Sequence, residues 1–261
     1  MEKERYQHIY ESIDIFDDVE ELAEKFMEPV GVISSILSQK TVSKVKKTQP
    51  KVQKNIHKHL KEWEKGYTIQ EIAKKNKLPE SLMATILLKE MGYSKKQIFN
   101  NPDTLSKPRL KKEIKEVIES DYHYSPKAHK MQSIRGQMGE EIIEKWLIHN
   151  NLNYYTEDDL REYGHTKTPD FVLNDTLIIE GIDIQWIESK ALFGDEREHK
   201  HYFNKQFKQY EEKFGQGMVV YWYGFLDNIN LQNHIIKDYE FFYNHKLVDD
   251  VEDLLSFSIQ W

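Results

Sequence analysis

The stretch from Thr168 to Gly194, TPDFVLNDTLIIEGIDIQWIESKALFG, limits the fold most strongly, because it contains apolar runs of strand length separated by turn residues. Asn174-Asp175 marks one such turn. In the last run, Glu188 and Lys190 interrupt a pattern that is otherwise typical of a buried strand. With the segment before it, this part of the chain predicts strands at residues 153–156, 169–173, 176–180 and 182–189.

Helical patterns surround these strands. Residues 133–149 predict an amphipathic helix with Gly139 on its apolar stripe and Glu140 at the border of that stripe. Gly136 and Gly139 would let the helix approach a neighbouring strand closely. A second helix is predicted at 199–214, a very apolar strand in MVVYWYGFL, and helix in the tail from His234 onward. Residues 132–261 therefore predict an α/β domain.

The N-terminal part of the chain predicts only helices. Thr68 followed by Glu71 forms a capping box, and a short turn ending at Pro79 leads to a second apolar helix. This outline is that of a helix-turn-helix, with an earlier and weaker copy in LAEKFMEPVGVISSIL. An ordinary helical hairpin that packs on the C-terminal domain or on a protein partner is the alternative. We assign residues 1–100 to this helical region and 101–131, which carry prolines and the run KPRLKKEIK, to a connecting segment.

Charge is divided unevenly along the chain. Residues 1–135 carry 26 Lys and Arg against 20 Asp and Glu, a net charge of +6, whereas residues 136–261 carry 11 against 24, a net charge of −13. The basic excess is concentrated in residues 40–65, with nine Lys and two Glu. We therefore expect any surface for a polyanion such as nucleic acid to lie mainly on the N-terminal half. The alternative is a solvated, lysine-rich helix.

Composition excludes several classes of site. The chain has no Cys, which excludes disulfides, thiolate metal sites and cysteine nucleophiles and suits an intracellular protein. The polar, acidic start predicts no signal peptide, and no apolar run approaches the roughly 20 residues that span a bilayer. The sequence also lacks the motifs of P-loop NTPases, dinucleotide-binding domains and serine hydrolases.

Strand geometry gives Glu188 and Lys190 a common face, because alternate side chains of a strand point the same way. The turn at Asn174-Asp175 makes the strand 169–173 a neighbour, which would bring Asp170 to the same edge of the sheet. Two carboxylates beside one ammonium suit a hard divalent cation, and Mg²⁺ commonly takes one or two protein carboxylates and keeps several waters. Lys190 could then orient a water or stabilise charge on a phosphoryl oxygen. The alternative is a structural salt bridge between Glu188 and Lys190.

These residues carry a resemblance. Pro169-Asp170 followed by Glu188-Ser189-Lys190 resembles the PD-(D/E)xK signature of restriction-endonuclease-like nucleases. Glu140 in RGQMGEE stands where such nucleases carry a helix carboxylate. Gln206 and Tyr210 are similar to a Q-x-x-x-Y helix motif of related branches, and their spacing lets both face one site.

The sequence pattern TPDF…WIESKALFGDE…QF…Y…VVYWYGF resembles that of a family named for its Thr-Pro-Asp motif and typified by a codanin-interacting nuclease. The resemblance covers residues 132–226 densely. It implies a restriction-endonuclease-like mixed sheet flanked by helices, preceded by helix-turn-helix-like units. It also implies a nuclease that uses Mg²⁺ or Mn²⁺ on nucleic acid, with DNA as the expected substrate. The implied catalytic residues are Asp170, Glu188, Lys190, Glu140, Gln206 and Tyr210, and the implied metal ligands are Asp170, Glu188, Ser189 and Glu140.

The resemblance extends to partners and location. A eukaryotic chain would have a protein partner of the codanin type and would reside in nucleus and cytoplasm, without a membrane. A non-catalytic adaptor that uses the nuclease fold to dock a protein partner is the competing class of function.

Two histidine pairs and one tryptophan could also bind a metal or a base, but their sequence context does not assign them to a site. The H-x-H pairs His57/His59 and His199/His201 lack nearby paired carboxylates or Cys and are interpreted as solvent-facing. Trp222 could stack on a base, but its apolar surroundings favour a buried core strand.

Overall fold

The computed structural model describes residues 1–94, 99–229, 234–243 and 247–256. The chain divides into two compact units. The sheet unit combines residues 1–36 with the described residues from Ile134 onward, and the helical unit comprises Leu37–Ser133. Among the described residues, none of the helices is both long and apolar enough to cross a lipid bilayer.

The described α-helices and strands follow in chain order. The helices include α1 Lys3–Ser12, α2 Val19–Phe26, α3 Val30–Lys54, α4 Ile56–Glu64, α5 Ile69–Lys75, α6 Glu80–Glu90, α7 Pro108–Ser120, α8 Pro126–His149, α9 Glu157–Glu162, α10 Glu196–Tyr202, α11 Lys208–Phe214, α12 Tyr239–Tyr243 and α13 Val248–Ser256. A π-helical turn, Phe203–Phe207, joins α10 to α11. The strands are β1 Tyr154–Thr156, β2 Phe171–Leu173, β3 Ile178–Ile179, β4 Ile182–Asp183, β5 Trp186–Lys190, β6 Gly217–Tyr221 and β7 His234–Lys237.

The sheet unit is built on a five-stranded mixed sheet of order β1-β2-β5-β6-β7. β1, β2 and β5 pair antiparallel, whereas β5, β6 and β7 pair parallel. β5 is therefore a central strand, and four of its five residues are buried. β6 is buried throughout, which explains its continuous apolar sequence. The expected mixed α/β architecture with flanking helices is confirmed.

Two of the predicted elements differ from the structure. The predicted strand 182–189 is two strands, because β4 pairs with β3 in a separate hairpin while β5 joins the main sheet. Glu180 and Gly181 have positive φ and form the tight turn of that hairpin. The tail begins with β7 rather than with a helix, since Ile235 and Ile236 are buried beside β6. The helical prediction holds for α12 and α13, and its remaining residues, 244–246 and 257–261, lie outside the described residues.

One of the two glycines predicted to allow close approach does so. A Cβ at Gly139 of α8 would collide with the Trp222 indole and approach the Ser189 hydroxyl. Gly136 on the same helix has open space around it, so the prediction is wrong for that position. Trp222 and its neighbour Tyr223 are fully buried, as their apolar surroundings predict.

The helical unit surrounds one apolar core. Thr68 and Glu71 form the predicted capping box, with Glu71 N–H donating to Thr68 Oγ1 at 3.1 Å and Thr68 N–H donating to Glu71 Oε2 at 2.8 Å. Helices α5 and α6 follow the helix-turn-helix outline. Six of the eleven α6 residues are buried, however: Ser81, Met83, Ala84, Ile86, Leu87 and Leu88. This helix therefore lies within the unit and lacks the open face of a groove-reading helix.

The compact units divide the chain differently from the predicted regions. Residues 101–131 do not simply connect two domains, because Leu110, Ile114 and Val117 of α7 belong to the core of the helical unit. Residues 1–36 group with the sheet unit rather than with the other N-terminal helices. As functional assignments, the regions 1–100, 101–131 and 132–261 stay a prediction.

Candidate active site

Asp170 and Glu188 are linked across adjacent strands. The backbone N–H of Ser189 donates to Asp170 Oδ2 at 2.7 Å, and the N–H of Asp170 donates to Glu188 Oε2 at 3.3 Å. The Asp170 carboxylate therefore accepts a hydrogen bond from β5, which carries Glu188. The Glu188 carboxylate accepts one from the residue just before β2. The antiparallel pairing of Phe171 with Ile187 sets this register. The structure thus brings both carboxylates to the same end of β2 and β5.

Lys190 completes this cluster. Its Nζ donates to Glu188 Oε1, so the ion pair that the sequence left open as a structural alternative is present. The same Nζ lies 4.9 Å from the centroid of the Tyr202 ring, a cation–π contact. The side chains of Lys190 and Glu188 are only 14% and 3% exposed, so this is a buried pair and not a solvated strand-end bridge.

Burial dominates the electrostatics of the cluster. Burial raises the pKa of Glu188, the negative charge of Asp170 raises it further, and Lys190 opposes both effects. Burial also raises the pKa of Asp170, although the positive charge of Lys190 and the hydrogen bond from the Ser189 N–H act to lower it. Burial would lower the pKa of Lys190, but the two carboxylates outweigh burial and raise that pKa. Two buried carboxylates facing one ammonium leave one negative charge that a further cation or proton can stabilise.

Glu140 reaches the same region from α8. Glu140 and Asp170 line one groove of about 430 Å³. Desolvation, followed by the negative charges of Asp170 and Glu157, raises the pKa of Glu140 to about 7. The other groove-lining residues are mostly acidic or polar: Gln137, Glu141, Glu144, Thr156, Glu157, Asp158 and Phe171.

Gln206 and Tyr210 lie together as their spacing predicts. Gln206 Nε2 donates to the Tyr210 hydroxyl at 3.3 Å. Tyr210 is buried against Trp186, with ring centroids 5.4 Å apart. Burial raises the pKa of Tyr210, and the negative charges of Glu188 and Asp170 add to that rise. The Tyr210 phenol is therefore within electrostatic reach of the carboxylate pair.

The Ser189 side chain lies on the other face of β5. Its Oγ accepts a hydrogen bond of 2.8 Å from the Trp222 indole N–H, beneath Gly139. The hydroxyl is thus committed to the core, and the Ser189 N–H positions Asp170. That Ser189 is a metal ligand stays a prediction, and the ligand atom would have to be its backbone carbonyl oxygen.

Glu157 is a residue of this region that the sequence interpretation missed. Its N–H donates to the Asp170 carbonyl at 3.1 Å, and its Oε1 accepts a hydrogen bond of 3.2 Å from Thr168 Oγ1. Thr156 and Asp159 form a capping box that begins α9 at Glu157. That T-x-x-D pattern could have placed Glu157 at a helix start beside the Thr-Pro-Asp motif.

The interpretation of both H-x-H pairs as solvent-facing is wrong for one member of each. His59 and His199 are buried, whereas His57 and His201 are exposed. His199 Nδ1 lies 3.1 Å from the Tyr221 hydroxyl, and His59 Nδ1 lies 3.0 Å from Glu62 Oε2. Residues two apart on a helix lie about 200° apart around it, so burying one exposes the other.

The donor set around Asp170 suits a hard cation. All its side-chain ligands would be carboxylate oxygens, and the buried pair carries an excess negative charge. Within the described parts of the chain, no three His, Cys, Asp or Glu side chains are close enough together to hold a metal ion. The fit is therefore to an ion that takes two protein carboxylates and completes its coordination with water, as Mg²⁺ does.

Known proteins resemble this chain over most of its length. Residues 106–240 match the family model described as a protein of unknown function with the TPD sequence motif. CDAN1-interacting nuclease 1 from Bos taurus is 35% identical over 170 residues, 61% of this chain and 60% of the relative. The Gallus gallus protein of the same name is 30% identical and covers 83% of this chain and 84% of its own length.

A more distant relative is the uncharacterized protein L539 of Acanthamoeba polyphaga mimivirus, 27% identical over 216 residues. The chain spans about 60% of the length of the bovine and mouse relatives it matches. No solved structure matches it. Because the family model covers residues 106–240 and the chicken relative is aligned along most of both chains, this chain belongs to the TPD sequence-motif family.

Proposed function

We propose that this chain is a metal-dependent nuclease of the PD-(D/E)xK superfamily, with a restriction-endonuclease-like sheet, that hydrolyses phosphodiester bonds of nucleic acid. DNA is the proposed substrate class. The observation that carries the proposal is the reciprocal hydrogen bonding of Asp170 and Glu188 across β2 and β5, with Lys190 bonded to Glu188. The names of the vertebrate relatives, which call them nucleases, support it.

Asp170 and Glu188 would hold the metal ion, and Glu140 would contact it through a water across the groove. When bound, Mg²⁺ or Mn²⁺ would neutralise phosphate charge and make a bound water a better nucleophile. The hydrogen bonds from Ser189 N–H and Asp170 N–H fix one oxygen of each carboxylate, and Asp170 lines the groove that Glu140 also lines.

Lys190 has two roles in the proposal. Its ammonium holds the Glu188 carboxylate in place, and Tyr202 supports it from the ring face. Because both carboxylates raise its pKa, Lys190 is a charged donor and not a general base at neutral pH. It would therefore stabilise negative charge on a phosphoryl oxygen or orient the attacking water. Tyr210 and Gln206 would position the pair from α11 and the π-helical turn before it.

We also propose a protein partner of the kind that the relatives' names indicate. The vertebrate relatives are named as CDAN1-interacting. A non-catalytic adaptor would share this partner and would retain the fold without metal-dependent cleavage.

The test compares the wild type with Glu188→Gln and with a control, Glu212→Gln, at an exposed position of α11. Melting temperature is measured with and without Mg²⁺ or Mn²⁺, and cleavage over a panel of DNA and RNA structures. We expect metal to raise the melting temperature of the wild type and of the control. Glu188→Gln should lose that rise and lose cleavage by on the order of 10³-fold or more, since the ion provides both charge neutralisation and water activation.

Two results would count against the nuclease. A folded Glu188→Gln protein with full cleavage would refute the site. A wild type with neither metal-induced stabilisation nor cleavage of any substrate would favour the adaptor.

A further inference from the structure

A regular row of lysines runs along one face of α3 and α4 in the helical unit. Its members are separated by 4, 3, 4, 3 and 4 residues, which matches the 3.6-residue period of a helix. All of them are exposed. The lysine row comprises Lys47, Lys51, Lys54, Lys58, Lys61 and Lys65.

The row lies opposite the buried face of the same helices. Val45, Val52 and His59 are buried, and Lys47, Lys54 and Lys61 each follow one of them by two positions. Two positions correspond to about 200° around the helix axis, so these lysines point away from the core. Asn55 interrupts the hydrogen-bond ladder between α3 and α4, but the buried side continues through His59 and Trp63.

In the part of the chain that the structure describes, no acidic partner lies beside the row, unlike several lysines elsewhere in the same unit. Among the residues that the structure describes, no carboxylate forms an ion pair with any of the six ammonium groups. By contrast, Lys75 lies 2.6 Å from Glu62, and Lys115 lies 2.9 Å from Asp103. Like charges three or four residues apart destabilise a helix. An oppositely charged partner that runs along the row would remove this repulsion.

From these observations we propose that the lysine row binds the phosphate backbone of duplex nucleic acid. Lys47 and Lys65 are 18 residue steps apart, which corresponds to about 27 Å at the helical rise of about 1.5 Å per residue. B-DNA presents about one phosphate charge per 1.7 Å of its axis, so a row of ammonium groups of this length can face several phosphates of its backbone. Protein interfaces, in contrast, are depleted in Lys and enriched in aromatic residues, and the row contains only lysines.

The row would contact phosphates without reading bases. The second helix of the helix-turn-helix outline, α6, is mostly buried and cannot enter a groove with an open face. Affinity would then depend strongly on salt and weakly on sequence. This inference deepens the proposed function and rests on it for the identity of the polyanion.

The test measures binding separately from cleavage. The full chain is titrated with a duplex of about 25 base pairs in EDTA, where the proposed metal-dependent cleavage cannot occur, over a series of salt concentrations. Six phosphate contacts predict a slope of log affinity against log salt of about −5. Lys51→Gln/Lys54→Gln/Lys58→Gln should reduce the size of the slope by about 3 and weaken binding at least about tenfold at low salt.

The matched control is Lys111→Gln/Lys112→Gln/Lys115→Gln on α7, which removes three lysines that already pair with Asp103 or Glu116. We expect the control to change the slope by less than about 1. The alternative triple Lys47→Gln/Lys54→Gln/Lys61→Gln repeats the test if the first variant is poorly folded by circular dichroism. A second duplex of unrelated sequence should bind within about threefold of the first.

Equal losses in the row variant and the α7 control would overturn the proposal, because they would show attraction by net charge alone. Binding of poly-glutamate but not of duplex would overturn it in favour of an acidic protein partner. Loss of duplex binding in the row variant, with no cleavage by the wild type in Mg²⁺ or Mn²⁺, would support the row and refute the nuclease. Cleavage by the wild type with unchanged binding in the row variant would support the nuclease and refute the lysine row.

Discussion

The buried carboxylate cluster on β2 and β5 and the lysine row on α3 and α4 use charge in opposite ways. Glu188 is buried, Asp170 and Lys190 are partly buried, and hydrogen bonds join the three, so each influences the protonation of the others. The lysines of the row are solvated and have no carboxylate partner among the described residues. Buried charges can activate a water or a phosphate but make the fold depend on their balance. Exposed charges attract a polyanion and contribute little to stability.

The largest difference should appear when one cation is removed from each region. Lys190→Met leaves two buried carboxylates without their ammonium and should lower the free energy of unfolding by about 3 kcal/mol in the absence of metal. Lys54→Met removes an exposed ammonium and should change it by less than about 0.5 kcal/mol. Urea unfolding in EDTA measures both values. Equal effects would mean that the buried cluster is solvated in solution, contrary to the structure.

A second contrast concerns the two members of one H-x-H pair. Burial, with a contribution from His234, lowers the pKa of His199 to about 4, from an ordinary value near 6.5. Below pH 6.5 the unfolded chain takes up a proton at this position that the folded protein binds only near pH 4. The free energy of unfolding should therefore fall as pH drops from about 6.5 to 4, by roughly 2–3 kcal/mol from this group.

His199→Asn should flatten that part of the stability profile, measured by urea unfolding at several pH values. The control is His201→Asn on the same helix, where the side chain is exposed. This control should keep the profile of the wild type. A profile that is unchanged by His199→Asn would assign the acid sensitivity to other groups, of which buried His234 is the first candidate.

The two glycines of α8 provide a third, smaller test in the sheet unit. An added methyl group at Gly139 would collide with the Trp222 indole and with the Ser189 hydroxyl that accepts the indole N–H. Gly139→Ala should therefore destabilise the protein by about 1–3 kcal/mol. Gly136→Ala fills open space in a helix and should stabilise it by roughly 0.5–1 kcal/mol. Thermal unfolding distinguishes the two signs. A stabilising Gly139→Ala would mean that Trp222 moves freely, against its complete burial.

The sequence predicted the cluster because strand geometry is local. Alternation along a strand placed Glu188 and Lys190 on one face, and the turn at Asn174-Asp175 indicated that the strand at 169–173 runs nearby and brings Asp170 to the same edge. The Ser189 side chain followed the same alternation onto the opposite face. What local patterns could not predict was burial. Whether His59 or His57 faces the core depends on which side of α4 meets the rest of the unit, although the spacing of the pair requires opposite sides.

The helix-turn-helix outline shows the same limit. Its capping box and turn are encoded within a few residues, and both form as predicted. The buried apolar residues of α6 do not share one face, because Ala84 and Leu88 are buried as well as Met83, Ile86 and Leu87. A helix that is apolar around most of its circumference belongs to a core, and this signal was present in the sequence. β7 was missed because it is only four residues long with two apolar residues, Ile235 and Ile236, and so short a pattern fits a strand or a helix equally well until its neighbour is known.

The smallest expected effect tests the part of the helical unit that the sequence predicted best. Thr68→Ala removes the hydroxyl that accepts the Glu71 N–H at 3.1 Å, and it leaves one donor of the first turn of α5 unpaired. The free energy of unfolding should fall by about 1 kcal/mol. Thr48→Ala is the control, because the Thr48 hydroxyl donates to the Lys44 carbonyl inside α3, where alanine is the better helix former. Its effect should be near zero or slightly stabilising.

Equal losses from both variants would indicate that the threonine methyl groups, and not the cap, contribute the stability. A loss confined to Thr68→Ala would show that this exposed cap stabilises α5 by a hydrogen bond to an uncharged hydroxyl, whereas the stability of the carboxylate cluster depends on its buried charges.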